Sequence, residues 1–267
     1  MVIKEGQEQA ESNYSESEQS GSEQRELEQH GSEQSASKRS IVLIRHGTTQ
    51  WNVEKKYLGH TDMGLLPDAQ EELASLGEQC RDLTWDAVYC SDLLRCRQTL
   101  AHIAPQLIEQ VKFDSRLREN NFGQWEGLNY EQLKDNSLYR SWIDDPQKVT
   151  PPEGETWQTF AERMDSFLRE HIWSENTDAL ILDKVNRADL EVLQSSQRIS
   201  HRNSYEHSHR TLIVTHGGVI RYMLSRLIPG LGFWDTHVIP GQAIQVHMEK
   251  QGEDWRGRRV DFPFFGL

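Results

Sequence analysis

Cysteine is scarce in this chain. Its 267 residues hold three, Cys80, Cys90 and Cys96, an odd number with no Cys-x-x-Cys pair. That pattern suggests neither a disulfide framework nor a zinc site. Long apolar runs are missing as well: Ile41 to Ile44 and Leu212 to Val214 fall far short of the roughly 20 residues of a membrane span. Positive charge is also in short supply, with 29 Lys+Arg against 42 Asp+Glu and a net charge of −13. Nucleic acid and anionic membranes would be repelled, which argues against both as partners. Met1-Val2-Ile3-Lys4 leads straight into Glu and Gln with no apolar stretch, unlike a secretion signal, so the expected location is the cytoplasm.

Composition divides the chain. Residues 1–38 carry nine Glu against three Lys+Arg, and Gly-Ser-Glu-Gln occurs at 21–24 and again at 31–34. Such a low-complexity segment buries too little apolar area to offset its ordering entropy, so a disordered acidic tail is expected. Residues 39–267 should form one domain, with a polar insertion at about 183–210. Three histidines of that insertion, His201, His207 and His209, lack a matching Cys or carboxylate set, and a solvated loop is expected there.

Within the domain, short apolar runs alternate with helical patterns. Buried strands are expected at 40–44, 87–90, 211–215 and, on a weaker pattern, 243–248. Helices are expected at about 68–82, 93–110, 155–174 and 217–228, with Pro67-Asp68 opening the first and Pro105 able to shorten the second. This alternation predicts an α/β fold: a three-layer sandwich with a mostly parallel central sheet and helices on both faces. Ligands of such sheets bind at the carboxyl ends of the strands.

Two strands end alike, one in Arg45-His46-Gly47 and the other in His216-Gly217-Gly218. Glycine there permits an unusual backbone angle and a close approach to a ligand. A third strand ends in Ser91-Asp92, with Arg95 and Arg97 opening the next helix; Arg97 reads as a solvated or salt-bridged helix residue. A lone histidine is usually structural. Two His-Gly turns and an arginine cluster meeting at one sheet edge would instead make a site for a dianion.

The residues resemble a family. Ile44-Arg45-His46-Gly47-Thr48-Thr49-Gln50-Trp51-Asn52 is similar to the opening signature of the histidine phosphatase superfamily, which includes cofactor-dependent phosphoglycerate mutases. Ser91 to Thr99 resembles its second arginine motif, Leu117 to Gly127 its acid-bearing segment, and Thr215-His216-Gly217-Gly218 its second histidine. The resemblance implies that His46 is the nucleophile and forms a phosphohistidine. It implies that Arg45 and Arg95 fork onto phosphate oxygens, that a protonated His216 and a neutral Asn52 add donors, and that Glu119 is the acid. Glu126, before Gly127, reads as a structural turn residue. The cationic side chains take the part that Mg²⁺ plays elsewhere, so no metal or other cofactor is expected. Thr48 departs from the family, where Glu often follows Arg-His-Gly, and this bears on substrate detail.

The expected partner is a small phosphorylated metabolite. Tyr139 to Pro146, followed by Pro151-Pro152-Glu153-Gly154-Glu155-Thr156, resembles the branch containing α-ribazole 5′-phosphate phosphatases of cobalamin assembly. His60-Thr61-Asp62 and Pro240-Gly241-Gln242-Ala243 are compatible with it. Phosphatases of broad specificity share the signature, and fructose-2,6-bisphosphatase activity stays open. Phe122 to Gly127 resembles the phosphatases rather than the mutases. A catalytically silent phosphate binder is the reading from another class.

Overall fold

The computed structural model describes residues 38–174, 209–252 and 254–262. Residues 1–37, which hold nearly all of the tail expected over 1–38, and residues 175–208, which hold most of the insertion expected at about 183–210 with His201 and His207, lie outside the described residues. His209 does not belong to that insertion: it opens a strand, buried, with its Nδ1 3.3 Å from the Thr211 hydroxyl. Lys38 and Arg39 likewise stand in a strand, so Lys38 belongs to the folded domain and not to the tail expected over 1–38.

Six strands form one sheet in the order β3-β2-β4-β1-β5-β6. They are β1 (Lys38–Arg45), β2 (Ala87–Cys90), β3 (Lys112–Phe113), β4 (His209–Thr215), β5 (Ala243–Gln251) and β6 (Asp254–Val260). The first four of the order run parallel, β5 runs antiparallel to β1, and β6 runs antiparallel to β5. The α/β sandwich is therefore as expected, with an antiparallel edge added by β5 and β6.

Side chains alternate across the pleat, and the core divides accordingly. Ile41, Leu43 and Ile213 face one layer, made by α6 (Trp157–His171) and α7 (Gly217–Leu227). Val42, Ile44, Leu212 and Val214 face the other, made by α2 (Ala69–Arg81) and α3 (Leu94–Ile103). These positions are almost wholly removed from water. Each contributes roughly 1.5–3 kcal/mol by burial, which is why both strands read as continuous apolar runs.

Helix starts and stops follow local chemistry. Thr156 caps α6 by accepting from the Thr159 N–H at 3.0 Å. Helix α3 stops at Ile103, two residues before Pro105, and a short 3₁₀ turn over Pro105–Leu107 replaces the expected continuation. Asp68 precedes α2, yet its side chain makes no capping bond. Short α1 (Gln50–Val53) carries a capping box between Thr49 and Asn52, and α4 (Tyr130–Leu133) and α5 (Ser137–Asp144) cover the acid-bearing segment.

The carboxyl ends of β1, β2 and β4 are stitched together by backbone bonds. The His46 N–H donates to the Thr215 carbonyl at 2.9 Å and the Ser91 N–H to the Val214 carbonyl at 3.0 Å. The Gly241 N–H reaches the carbonyls of both Arg45 and His46, at 3.2 and 3.1 Å. The sheet edge thus fixes the chemistry-bearing turns as one unit.

Candidate active site

The two His-Gly turns meet. The His46 and His216 rings lie 5.2 Å apart, centroid to centroid, edge to face. Beside them opens a cavity of about 720 Å³ lined by Arg45, His46, Asn52, Glu119 and Gly218, with Phe122 and Trp142 on one wall and Phe233 and Trp234 on another.

His46 Nδ1 lies 2.8 Å from the Gly47 carbonyl oxygen, which can only accept. The ring proton therefore sits on Nδ1 and leaves the Nε2 lone pair free. Burial, then the charges of Arg95 and Arg45, hold this ring well below the usual imidazole range, so it stays neutral. A buried neutral imidazole with one directed lone pair is suited to nucleophilic attack.

His216 is arranged differently. Its Nδ1 accepts from Arg95 Nε at 3.2 Å, so its proton sits on Nε2, 2.9 Å from the Ser91 hydroxyl. The Cys96 thiol is 3.5 Å from the same nitrogen. Burial, then Arg95 and His46, depress its pKa well below the ordinary value. The expected imidazolium is thus not what the structure holds: full burial next to a guanidinium disfavours a second positive charge.

Arg95 is also wholly buried, and it stands behind the cavity rather than on its wall. It donates through Nη1 to the Thr61 carbonyl at 2.9 Å and through Nη2 to the Gly59 carbonyl at 2.7 Å. Three of its five N–H groups are used by these bonds and by His216, leaving two. Arg45 stands on the wall, tied through Nη1 to the Val238 carbonyl at 2.6 Å, while its buried Nε has no partner among the described residues. Arg97 is exposed and stacks over Phe113 at 5.5 Å, away from the site, as its reading as a surface residue predicts.

Glu119 reaches the site on the segment after β3. Its Oε2 accepts from the Gly218 N–H at 2.8 Å and its Oε1 from the Asn120 N–H at 3.0 Å. A Cβ at position 218 would come within 2.4 Å of that carboxylate, so glycine is required there for close approach. Neither Gly47 nor Gly217 adopts a positive φ, contrary to the unusual backbone angle expected of them. Space is the reason at Gly47, where a Cβ would press on Leu73 at 3.0 Å; one on Gly217 would meet the Arg45 guanidinium at 3.4 Å, an ordinary contact.

Glu126 is structural. It accepts from the backbone N–H groups of His60 and Thr61, both at 2.7 Å, from that of Phe122 at 3.2 Å and from the Thr61 hydroxyl. This clamps the 59–62 loop whose carbonyls hold Arg95. Asn52 spends its Oδ1 on the Thr49 N–H at 3.0 Å, which leaves the amide N–H groups for the cavity. Thr48 donates to Glu72 at 2.6 Å, outside the cavity lining. The Pro151-Pro152 loop buttresses the acid segment, with the Gln124 N–H on the Pro152 carbonyl at 2.9 Å.

A model of the histidine phosphatase superfamily (branch 1) matches residues 41–182. The chain belongs to that superfamily. The matched stretch contains Arg45, His46, Arg95 and Glu119, while His216 follows it in the chain. An adenosylcobalamin/α-ribazole phosphatase of Escherichia coli K12 is 27% identical over 213 residues, covering 78% of this chain and 90% of that protein. A Salmonella arizonae protein named "Probable phosphoglycerate mutase" is 32% identical over 130 residues, 48% of this chain and 60% of its own length. Among solved structures, the α-ribazole phosphatase of Shigella flexneri superposes with a TM-score of 0.62 at 26% identity, covering 85% of this chain and 98% of that one. Membership supports a phosphatase or mutase enzyme of the phosphoglycerate mutase-like fold.

Several site features of this superfamily member were not legible in the sequence. Ser91 was visible only as a strand end, yet it fixes the His216 tautomer. Arg163 on α6 gathers the carbonyls of Arg118 and Glu119 at 2.7 and 3.0 Å and forks onto Glu155, a cavity residue. Nothing in its local pattern separates it from a surface helix arginine. All three cysteines are free and buried. Among the described residues, no group of three or more metal-ligating side chains occurs and no helix is long and apolar enough to cross a membrane.

Proposed function

We propose that the protein is a phosphomonoester hydrolase working through a phosphohistidine at His46. The observation that carries this reading is the His46 ring itself, kept neutral with its Nδ1 proton on the Gly47 carbonyl. Nε2 attacks phosphorus, the P–O ester bond breaks, and the leaving oxygen takes a proton from Glu119. Water then attacks the phosphohistidine, giving its proton to Glu119 and restoring the imidazole. Arg45 and Asn52, both on the cavity wall, hold the phosphoryl oxygens as charge shifts, and Arg95 adds its positive charge from behind that wall. His216 orients Arg95. No step requires a metal, the cationic side chains supplying the neutralisation.

The ester we favour is α-ribazole 5′-phosphate. Its benzimidazole is flat and apolar, and the cavity walls offer Phe122, Trp142, Phe233 and Trp234. The E. coli and S. flexneri relatives support the same choice. Broad action on small phosphorylated metabolites is the runner-up. The mutase reading rests on a relative matched over 60% of its length. Fructose-2,6-bisphosphatase action and a silent phosphate binder have less in their favour, since nucleophile and acid are both retained.

The deciding experiment compares kcat/KM for α-ribazole 5′-phosphate, 3-phosphoglycerate, fructose bisphosphates and simple sugar phosphates, with EDTA present. Highest efficiency on the ribazole ester is expected. A better sugar phosphate would point to broad specificity, and no turnover even of p-nitrophenyl phosphate would leave the binder.

A further inference from the structure

One arginine of the cavity has no acceptor among the described residues. Arg116, Arg118, Arg163 and Arg226 each pair with a carboxylate. Arg221 lines the cavity and makes neither an ion pair nor a hydrogen bond among the described residues, and its Nε is buried without a partner. Asp144, another acid of the lining, forms no ion pair with it, and three further acids are committed elsewhere. Glu119 is held by two backbone N–H groups, Glu155 is forked by Arg163, and Asp235 accepts from the Gly232 N–H at 2.7 Å.

Placement says what Arg221 can meet. It follows Gly218 by three residues on α7, so the two share a helix face, and Gly218 is the residue that holds Glu119. Its guanidinium carbon sits 5.7 Å from the Phe233 ring and 5.5 Å from that of Trp234. Trp234 is 62% exposed, so this side of the cavity is its mouth, whereas His46 at 3% is its floor. The aromatic faces brace the guanidinium while leaving its N–H groups unspent. Burial and then the charge of Arg221 hold the Arg45 pKa down, so an acceptor in the cavity that both line would be favoured.

We propose that Arg221 is a specificity-determining residue that donates hydrogen bonds to acceptor atoms on the alcohol portion of the ester, beyond the phosphoryl group. This rests on the proposed phosphatase reaction and adds to it the part of the site that chooses the ester. Those acceptors have two possible sources. One is neutral, the hydroxyls of a sugar or a ring nitrogen; the other is acidic, a carboxylate.

The test compares wild type with R221M and W234A on three esters: p-nitrophenyl phosphate, α-ribazole 5′-phosphate and 3-phosphoglycerate. R221M should raise KM on an acceptor-bearing ester, so that its kcat/KM falls at least tenfold more than on the aryl phosphate. A fall confined to 3-phosphoglycerate identifies an acidic acceptor; a fall on the ribazole ester identifies neutral ones. W234A, at an exposed position where folding is safe, should lower the same ratio to a smaller extent. An equal loss in kcat on all three esters would overturn the proposal in favour of a phosphoryl ligand, and no change on any would overturn it outright. Calorimetric binding of α-ribazole and of glycerate to wild type and R221M separates this from failure of the hydrolytic reading. Affinity for one of these alcohols should drop at least tenfold even if nothing is turned over. Equal affinities in the two proteins would count against Arg221.

Discussion

His46 and His216 close neighbouring parallel strands, each is followed by glycine, and each is buried. By sequence they are near twins. One spends a single ring nitrogen on a carbonyl and keeps the other for the cavity; the other has both nitrogens engaged, by Arg95 and by Ser91. A strand-end histidine therefore acquires its role from the hydrogen bonds around the ring. The motif delivers it to the right edge, and the neighbours decide what it can do there.

The comparison is broken most severely by H46A. Turnover should vanish, and the labelled phosphoenzyme that an alkaline quench preserves in the wild type should be absent, since the P–N bond of a phosphohistidine survives alkali but not acid; retained activity would mean that the nucleophile is elsewhere. H216A comes next. Releasing Arg95 from its place behind the site should lower kcat by about 10²–10³, as much as the loss of one transition-state donor. A labelled phosphoenzyme should still form on long incubation, because the attacking nitrogen is untouched.

Glu119 sharpens the contrast between attack and departure. E119Q should slow alkyl esters far more than p-nitrophenyl phosphate, whose leaving group needs no proton; equal losses would assign Glu119 to structure. The smallest effect concerns pH. Both rings have pKa values pushed below the ordinary 6.5, His46 by burial and then Arg95, His216 by burial and then Arg95 and His46. Below pH 6.5 the unfolded chain binds protons that the folded rings refuse, so stability should fall as the medium is acidified from there. Thermal unfolding of wild type and H216Q between pH 7 and 5 tests this, with a shallower decline expected for the variant.

Much of this was legible in the primary structure. The strands β1 and β4 are apolar throughout because helices cover both faces of the sheet centre, and such runs announce themselves. The edge strand β6 reads Asp254-Trp255-Arg256-Gly257-Arg258-Arg259-Val260, charged on its open side, and gave no strand signal. β3 has two residues and could not. At the site, residue identity was readable where a motif carried it, as with His46, Arg95 and Glu119. The neutral state of His216 was not, because it depends on Arg95 and Ser91, 121 and 125 positions away in the chain. Arg163 and Arg221 escaped for the same reason: a helix arginine looks alike whether it meets water, a carbonyl cluster or a cavity.

The stretch from Phe233 to Gln242 serves both ends of the cavity. Its first two residues brace Arg221 at the mouth, and its later part supplies the Val238 carbonyl to Arg45 and the Gly241 N–H to the floor. Tolerance to change should therefore be graded along ten residues of one ribbon. Substitutions at 233 and 234 would retune which molecules are accepted, while an insertion or deletion nearer 238–242 would drag the catalytic guanidinium with it. Selection or engineering for a new preference has its free ground at the front of that ribbon and a fixed anchor at the back.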